Sequence, residues 1–129
     1  MKLLMVCLLL SFGNIALADA GEREYGIHLF FDEKEFVDTL YLEQSLCETY
    51  LGRMVVPNDF EATIEKARLY EGLKIRFEVL VPKNSARPED LVFEYEGQFF
   101  DSSHNQLTGF VKIRGREGFI ASFVGFARN

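Results

Sequence analysis

Residues 32–52, DEKEFVDTLYLEQSLCETYLG, decide the fold, and their spacing predicts a helix. Asp32 stands as an N-cap with Glu35 three residues on, the arrangement of a capping box. Phe36, Leu40, Cys47 and Leu51 recur on one helical face, flanked by Val37, Leu46 and Tyr50, and Gly52 supplies a C-terminal stop. A second helix reads from Pro57-Asn58, with Asn58 as cap and Glu61 completing another box. Phe60, Ile64 and Ala67 are spaced to face a core, Tyr70 lies near the same side, and Gly72 ends the segment.

Strands lie on both sides of this stretch. Residues 25–31 alternate loosely, and residues 73–81 carry the cleanest period of two in the chain. Residues 91–99, 107–114 and 119–127 follow, separated by a polar loop, a turn at residues 101–106 and the Gly115–Gly118 connection. The expectation is therefore an α+β domain over residues 21–129. An N-terminal strand and two helices would pack on one face of a four-stranded antiparallel meander.

The 129 residues suit one compact domain. A 48% hydrophobic content with thirteen phenylalanines excludes disorder, collagen and coiled coil. The net charge of -6, without a basic stripe, argues against nucleic acid as a partner.

The start of the chain reads as a secretory signal peptide. Lys2 precedes an apolar run over residues 3–12, Gly13-Asn14 break it, and Ala16-Leu17-Ala18 offers a cleavage site after Ala18, with a second after Ala20. The run is short of the roughly 20 residues that a membrane span needs, so no anchor is expected after cleavage. Cys7 has Met5-Val6 before it and more leucines after it, which does not fit a lipoprotein signal. Periplasmic or secreted placement follows, and the lack of any Asn-x-Ser/Thr site favours the periplasm. Cys47 is then the sole cysteine and cannot form an internal disulfide. It reads as a buried apolar side chain, an intermolecular disulfide or a reactive thiol.

The meander places apolar side chains on both of its faces. Lys74, Arg76, Glu94, Glu96, Lys112 and Arg114 form a charge ladder, yet Leu80, Val92, Phe100, Phe110, Ile120, Val124 and Phe126 share its phase. A register centred on Gly115–Gly118 would set Phe110 beside Val124 and Phe126 near Thr108. Several exposed rings amount to a patch that calls for a cover. Phe100, Phe110, Val124 and Phe126 are the candidate surface for a protein partner, possibly basic, or for a homodimer. Alternatively the sheet curls and buries both phases itself, as in a small barrel. A further alternative is a carrier of a small apolar ligand between helices and sheet, with Phe77, Phe93, Tyr95 and Phe123 lining the cavity.

Signals for chemistry are sparse. Asp101-Ser102-Ser103-His104 has the residue types of a hydrolase triad, but all four sit in one turn. Glu94 and Glu96 have the spacing of a glycosidase pair, and their basic neighbours would keep both ionised. No metal-ligand spacing and no phosphate-binding glycine loop is present, so neither a metal nor a cofactor is expected. Val92–Gly97 followed by Phe100–Ser103 resembles a short segment of FK506-binding-type prolyl isomerases, without the Val-Ile-x-Gly-Trp segment that follows it in that family. The expectation is a small non-enzymatic binding protein, inhibitor- or immunity-like.

Overall fold

The computed structural model describes residues 21–46 and 49–128. Eight strands run through them: β1 Arg23–Phe31, β2 Lys34–Leu46, β3 Thr49–Val56, β4 Phe60–Tyr70, β5 Lys74–Val81, β6 Leu91–Phe99, β7 Gln106–Ile113 and β8 Ala121–Ala127. Each strand pairs antiparallel with the next, and β8 returns to β1, which closes the sheet into a barrel. The α+β expectation is thus corrected to an all-β one, with no helix among the described residues. The segment expected to be a signal peptide and Cys47 lie outside those residues.

Both expected helices are strands, and the supposed caps are hairpin turns. Asp32 and Glu33 have φ of 51° and 62°, and Phe31 pairs with Lys34, so two left-handed residues join β1 to β2. Asn58, at φ 62°, sits between Val56 and Phe60, which pair across the β3–β4 hairpin. Asp and Asn tolerate the left-handed region because their short polar side chains satisfy local backbone groups, the same property that makes them N-caps. Along β2, Asp38, Leu40 and Leu42 are buried while Val37 is exposed and Tyr41 half-buried. That is a period of two with a carboxylate inside and apolar residues outside, so the pattern is masked.

The strands read at the two ends of the sequence coincide with β1 and β5–β8. Their curvature takes the inner phase around a common core of Ile27, Leu40, Met54, Ile64, Phe77, Phe99, Leu107 and Phe123. Eight strands give an interior wide enough for side chains or for one small ligand. Gly97 and Gly109 face each other across β6 and β7. A Cβ on Gly109 would lie 2.0 Å from the Glu96 carbonyl oxygen, so the close approach of these strands requires glycine there.

The outer wall differs by sector. On β5–β7, Arg76 lies 3.7 Å from Glu96, Lys112 lies 3.9 Å from Glu94, and Arg114 pairs with Glu78. An apolar interior inside a wall with such pairs is the reverse of a membrane-spanning barrel, which is apolar outside and polar within. On β7, β8 and β1 the wall is aromatic, with Phe30, Phe110 and Phe126 exposed.

The candidate site at the open end of the barrel

The two ends of the barrel are built from different loops. One end carries the turns at residues 32–33 and 57–59 and the loops at residues 82–90 and 114–120. The other carries residues 71–73, the turn at residues 100–105 and the two chain termini of the barrel.

The second end is sealed. The Tyr25 hydroxyl donates to the His104 carbonyl at 2.8 Å, and Arg23 donates to the Ser103 carbonyl at 2.8 Å and to Asn105 Oδ1 at 2.5 Å. The His104 ring stacks on Phe99 with centroids 4.3 Å apart. Burial first, then the nearby Arg23 charge, lowers the His104 pKa, which keeps the imidazole neutral. Residues 100–105 therefore form a plug. The Ser103 hydroxyl faces the Asp101 carboxylate, and no hydroxyl–imidazole hydrogen bond occurs among the described residues.

The first end is hollow where β3, β5 and β8 carry small inward residues. On β8, Phe123 fills the centre and Ala121 stands nearer the rim. Val56, Val79 and Val81 occupy the corresponding level on β3 and β5. These small side chains leave a cavity of about 220 Å³. Tyr95 stands beneath it, stacked on Phe77 at 4.7 Å and tilted against Phe123 at 5.5 Å. Phe31, Phe36, Phe60 and Phe93 add aromatic surface to its wall.

One charged group faces this apolar space from within. Asp38 sits on β2 opposite Ile27 and is only 4% exposed. It makes no hydrogen bond or ion pair among the described residues. Burial, reinforced by the Asp59 carboxylate, pushes its pKa up to about 6. Burial also raises the Tyr95 phenol, and the Asp38 charge adds to that shift.

The rim has its own fixed charges. Arg87 donates to both carboxylate oxygens of Asp59, with Nη1–Oδ2 and Nη2–Oδ1 each 3.2 Å. Its guanidinium also donates to the Pro82 carbonyl, and Asn84 folds the loop back by accepting from the amides of Ala86 and Arg87. This pair is internally neutral, which leaves Asp38 as the uncompensated charge of the cavity.

Of the residues expected to line a ligand cavity, Phe93 and Tyr95 do so, while Phe77 and Phe123 back Tyr95 from below. The enclosing walls are strands of one barrel, and the helices expected to form one side do not exist. Sequence reasoning missed Asp38, because a carboxylate at an interior position reads as evidence against a strand. The proposed docking residues lie elsewhere. Phe100 is 74% exposed in the plug turn, whereas Phe110 at 50% and Phe126 at 47% project from the outer wall. Phe110 pairs with Ser122, and Val124 pairs with Thr108, two residues from the expected register. Phe110 instead stacks on Phe119 at 4.7 Å, and Phe126 meets His28 edge-on at 6.1 Å. No group of three or more metal-ligating side chains occurs among the described residues. In comparisons with known proteins, no family model, no curated protein and no solved structure matches this chain.

Proposed function

We propose that this chain is a small non-enzymatic binding protein of the periplasm or the secretory route that holds a small, largely apolar ligand in the open end of its barrel. The observation that carries this reading is the pairing of a sealed end with a hollow one. The cavity is concave, mostly apolar, and holds a few polar groups, the Asp38 carboxylate and the Tyr95 hydroxyl among them, which are the general attributes of a ligand site. At about 220 Å³ it falls below the usual range for drug-sized ligands, and it exceeds the roughly 150 Å³ in which a benzene ring fits. A single ring with a short chain is the scale it suits.

Native mass spectrometry of the intact protein, purified gently from its own host, tests this. The expected result is one small molecule per barrel, lost in an Ala121→Leu variant whose larger side chain occupies the cavity. A barrel that carries no small molecule and also rejects every small aromatic probe, charged or neutral, would overturn the reading.

The aromatic outer wall supports a second reading, in which a protein partner or a second copy covers Phe110, Val124 and Phe126, with the exposed Phe100 of the plug turn in the same contact. The half-exposed rings of Phe110 and Phe126 favour it. Phe110→Asp should then abolish complex formation with the fold intact, and a variant that assembles normally would count against it.

A further inference from the structure

We infer that the ligand of the open-end cavity is a small organic cation, an amine carried on an aromatic or branched apolar body, whose ammonium group pairs with Asp38. This inference rests on the reading of the cavity as a ligand site and goes further by assigning the charge of the ligand.

The argument begins with what Asp38 lacks. A carboxylate that is 4% exposed, opens onto the cavity and has no hydrogen-bond donor among the described residues is an unfavourable arrangement between mostly apolar walls. Folding alone gives no reason to place Asp at that position. A ligand that brought a positive charge and N–H donors would supply both missing partners at once.

The surrounding charges select the sign. Of the groups that face Asp38, Tyr95 comes from β6, Asp59 from the β3–β4 turn and Arg87 from the β5–β6 loop. β1 and β3 present Leu29 and Val56. Arg87 is already engaged by both oxygens of Asp59, so it is neutralised where it stands. The net charge offered to a ligand is negative. An anion would meet the uncompensated Asp38 carboxylate, and a neutral molecule would leave Asp38 either charged and without a counter-charge or protonated.

The walls point the same way. The faces of aromatic rings carry a negative quadrupole, and several rings around one space form the kind of cage that recognises ammonium groups. Phe31, Phe36, Phe60, Phe93 and Tyr95 come from four separate strands and converge on the cavity that Asp38 enters. Aliphatic side chains would have served a purely apolar ligand equally well. The combination of aromatic walls with one buried carboxylate is specific to a cation.

Proton linkage gives the idea a second signature. With its pKa near 6 in the empty protein, Asp38 is charged at neutral pH and increasingly protonated below that. A cation binds the charged form, so affinity should fall by about tenfold per pH unit once the pH drops below the free-state value.

Calorimetric titration of the intact protein with three probes of similar shape tests the proposal: 2-phenylethylammonium, the neutral 2-phenylethanol and the anion phenylacetate. At about pH 7.5 the ammonium should bind at least about tenfold tighter than the alcohol, with phenylacetate weakest, and its advantage should shrink towards about pH 5. In Asp38→Asn the ammonium and the alcohol should bind alike. Equal affinities in the parent protein, or a preference that survives in Asp38→Asn, would overturn the cation assignment and leave the cavity as a neutral-ligand site. If none of the three probes binds the parent protein, the reading of the cavity as a ligand site falls together with the inference.

Discussion

Where β6 turns into β7, Tyr25, Phe99 and His104 pack under a turn tied down by Arg23, whereas at the opposite end the rings stand around a hollow that Ala121, Val79 and Val81 leave unfilled. Antiparallel connections join the strands at both ends, but β4 and β5 pair only through residues 68–70 and 74–76, beside the sealed end, and part towards the hollow one. Side-chain volume and one misplaced charge separate the ends further. The sealed end holds a half-buried titratable group neutral; the hollow end admits a carboxylate that has no hydrogen-bond donor among the described residues. Tight packing is found at one end and the proposed recognition site at the other, a division common where binding sites depart from the rules that stabilise a fold.

The sharpest contrast is between two phenylalanines. Phe99 is fully buried in the sealed half, and Phe99→Ala should destabilise the barrel by about 3–5 kcal/mol. Phe36 stands at the open rim, 45% exposed, and Phe36→Ala should cost about 1 kcal/mol. Urea unfolding of both variants measures the difference. Equal losses would mean that the open end is packed as tightly as the sealed one, and the comparison would fail.

Asp38 should act with the opposite sign. Its folded-state pKa of about 6 lies above the ordinary 3.8, so the folded protein holds a proton that the unfolded chain has released between those values. The contribution of this group to stability is present in full below about pH 4 and is lost as the pH rises through about 6. Asp38→Asn removes that loss. It should stabilise the empty protein by on the order of 2 kcal/mol near pH 8 and by almost nothing near pH 4. A variant no more stable than its parent at pH 8 would show that the carboxylate is better solvated than its burial implies.

The same residue explains which part of the sequence was legible. β5 and β6 announce themselves, because Ile75, Phe77 and Val79 alternate with Arg76 and Glu78, and the partners on β6 repeat the alternation. β2 conceals itself. Its inner phase includes Asp38 and its outer phase Val37 and Tyr41, so the alternation is inverted at the position proposed to meet the ligand. Asp32 and Asn58 add to the confusion, since an N-cap and a left-handed hairpin residue draw on the same side-chain chemistry. Curling of the sheet, weighed as one way to bury both phases of the meander, is what hides the inner set; the outer rings of Phe110 and Phe126 remain uncovered. Nothing in a local pattern reports that β8 returns to pair with β1, because that contact joins the two ends of the domain.

A smaller effect is expected from the plug. The Tyr25 hydroxyl makes one hydrogen bond to the His104 carbonyl, and Tyr25→Phe should cost about 1 kcal/mol. The amides of residues 101–105 should exchange faster in this variant, while those of the open-end hairpins stay unchanged. If exchange rises equally at both ends, the plug is not an independent unit and the sealed end owes its stability to the barrel as a whole.

The weakest perturbation tests the electrostatics of the mouth alone. Asp59 raises the Asp38 pKa, and its own charge is compensated by Arg87. Asp59→Asn removes a negative neighbour and frees a positive one, and both changes favour the ionised form of Asp38. Its titration, followed by the carbon resonance of the side-chain carboxyl, should move down from about 6 towards the ordinary carboxylate range. Arg87→Gln leaves Asp59 uncompensated and should move it up. Because the pair lies at a partly wet rim, either variant should change overall stability by no more than about 1 kcal/mol. Opposite shifts of one resonance at nearly constant stability would establish that the mouth has a low dielectric and transmits charge to its floor. Two flat titrations would instead mean that water screens the cavity, and the open end would then differ from the sealed one in shape only.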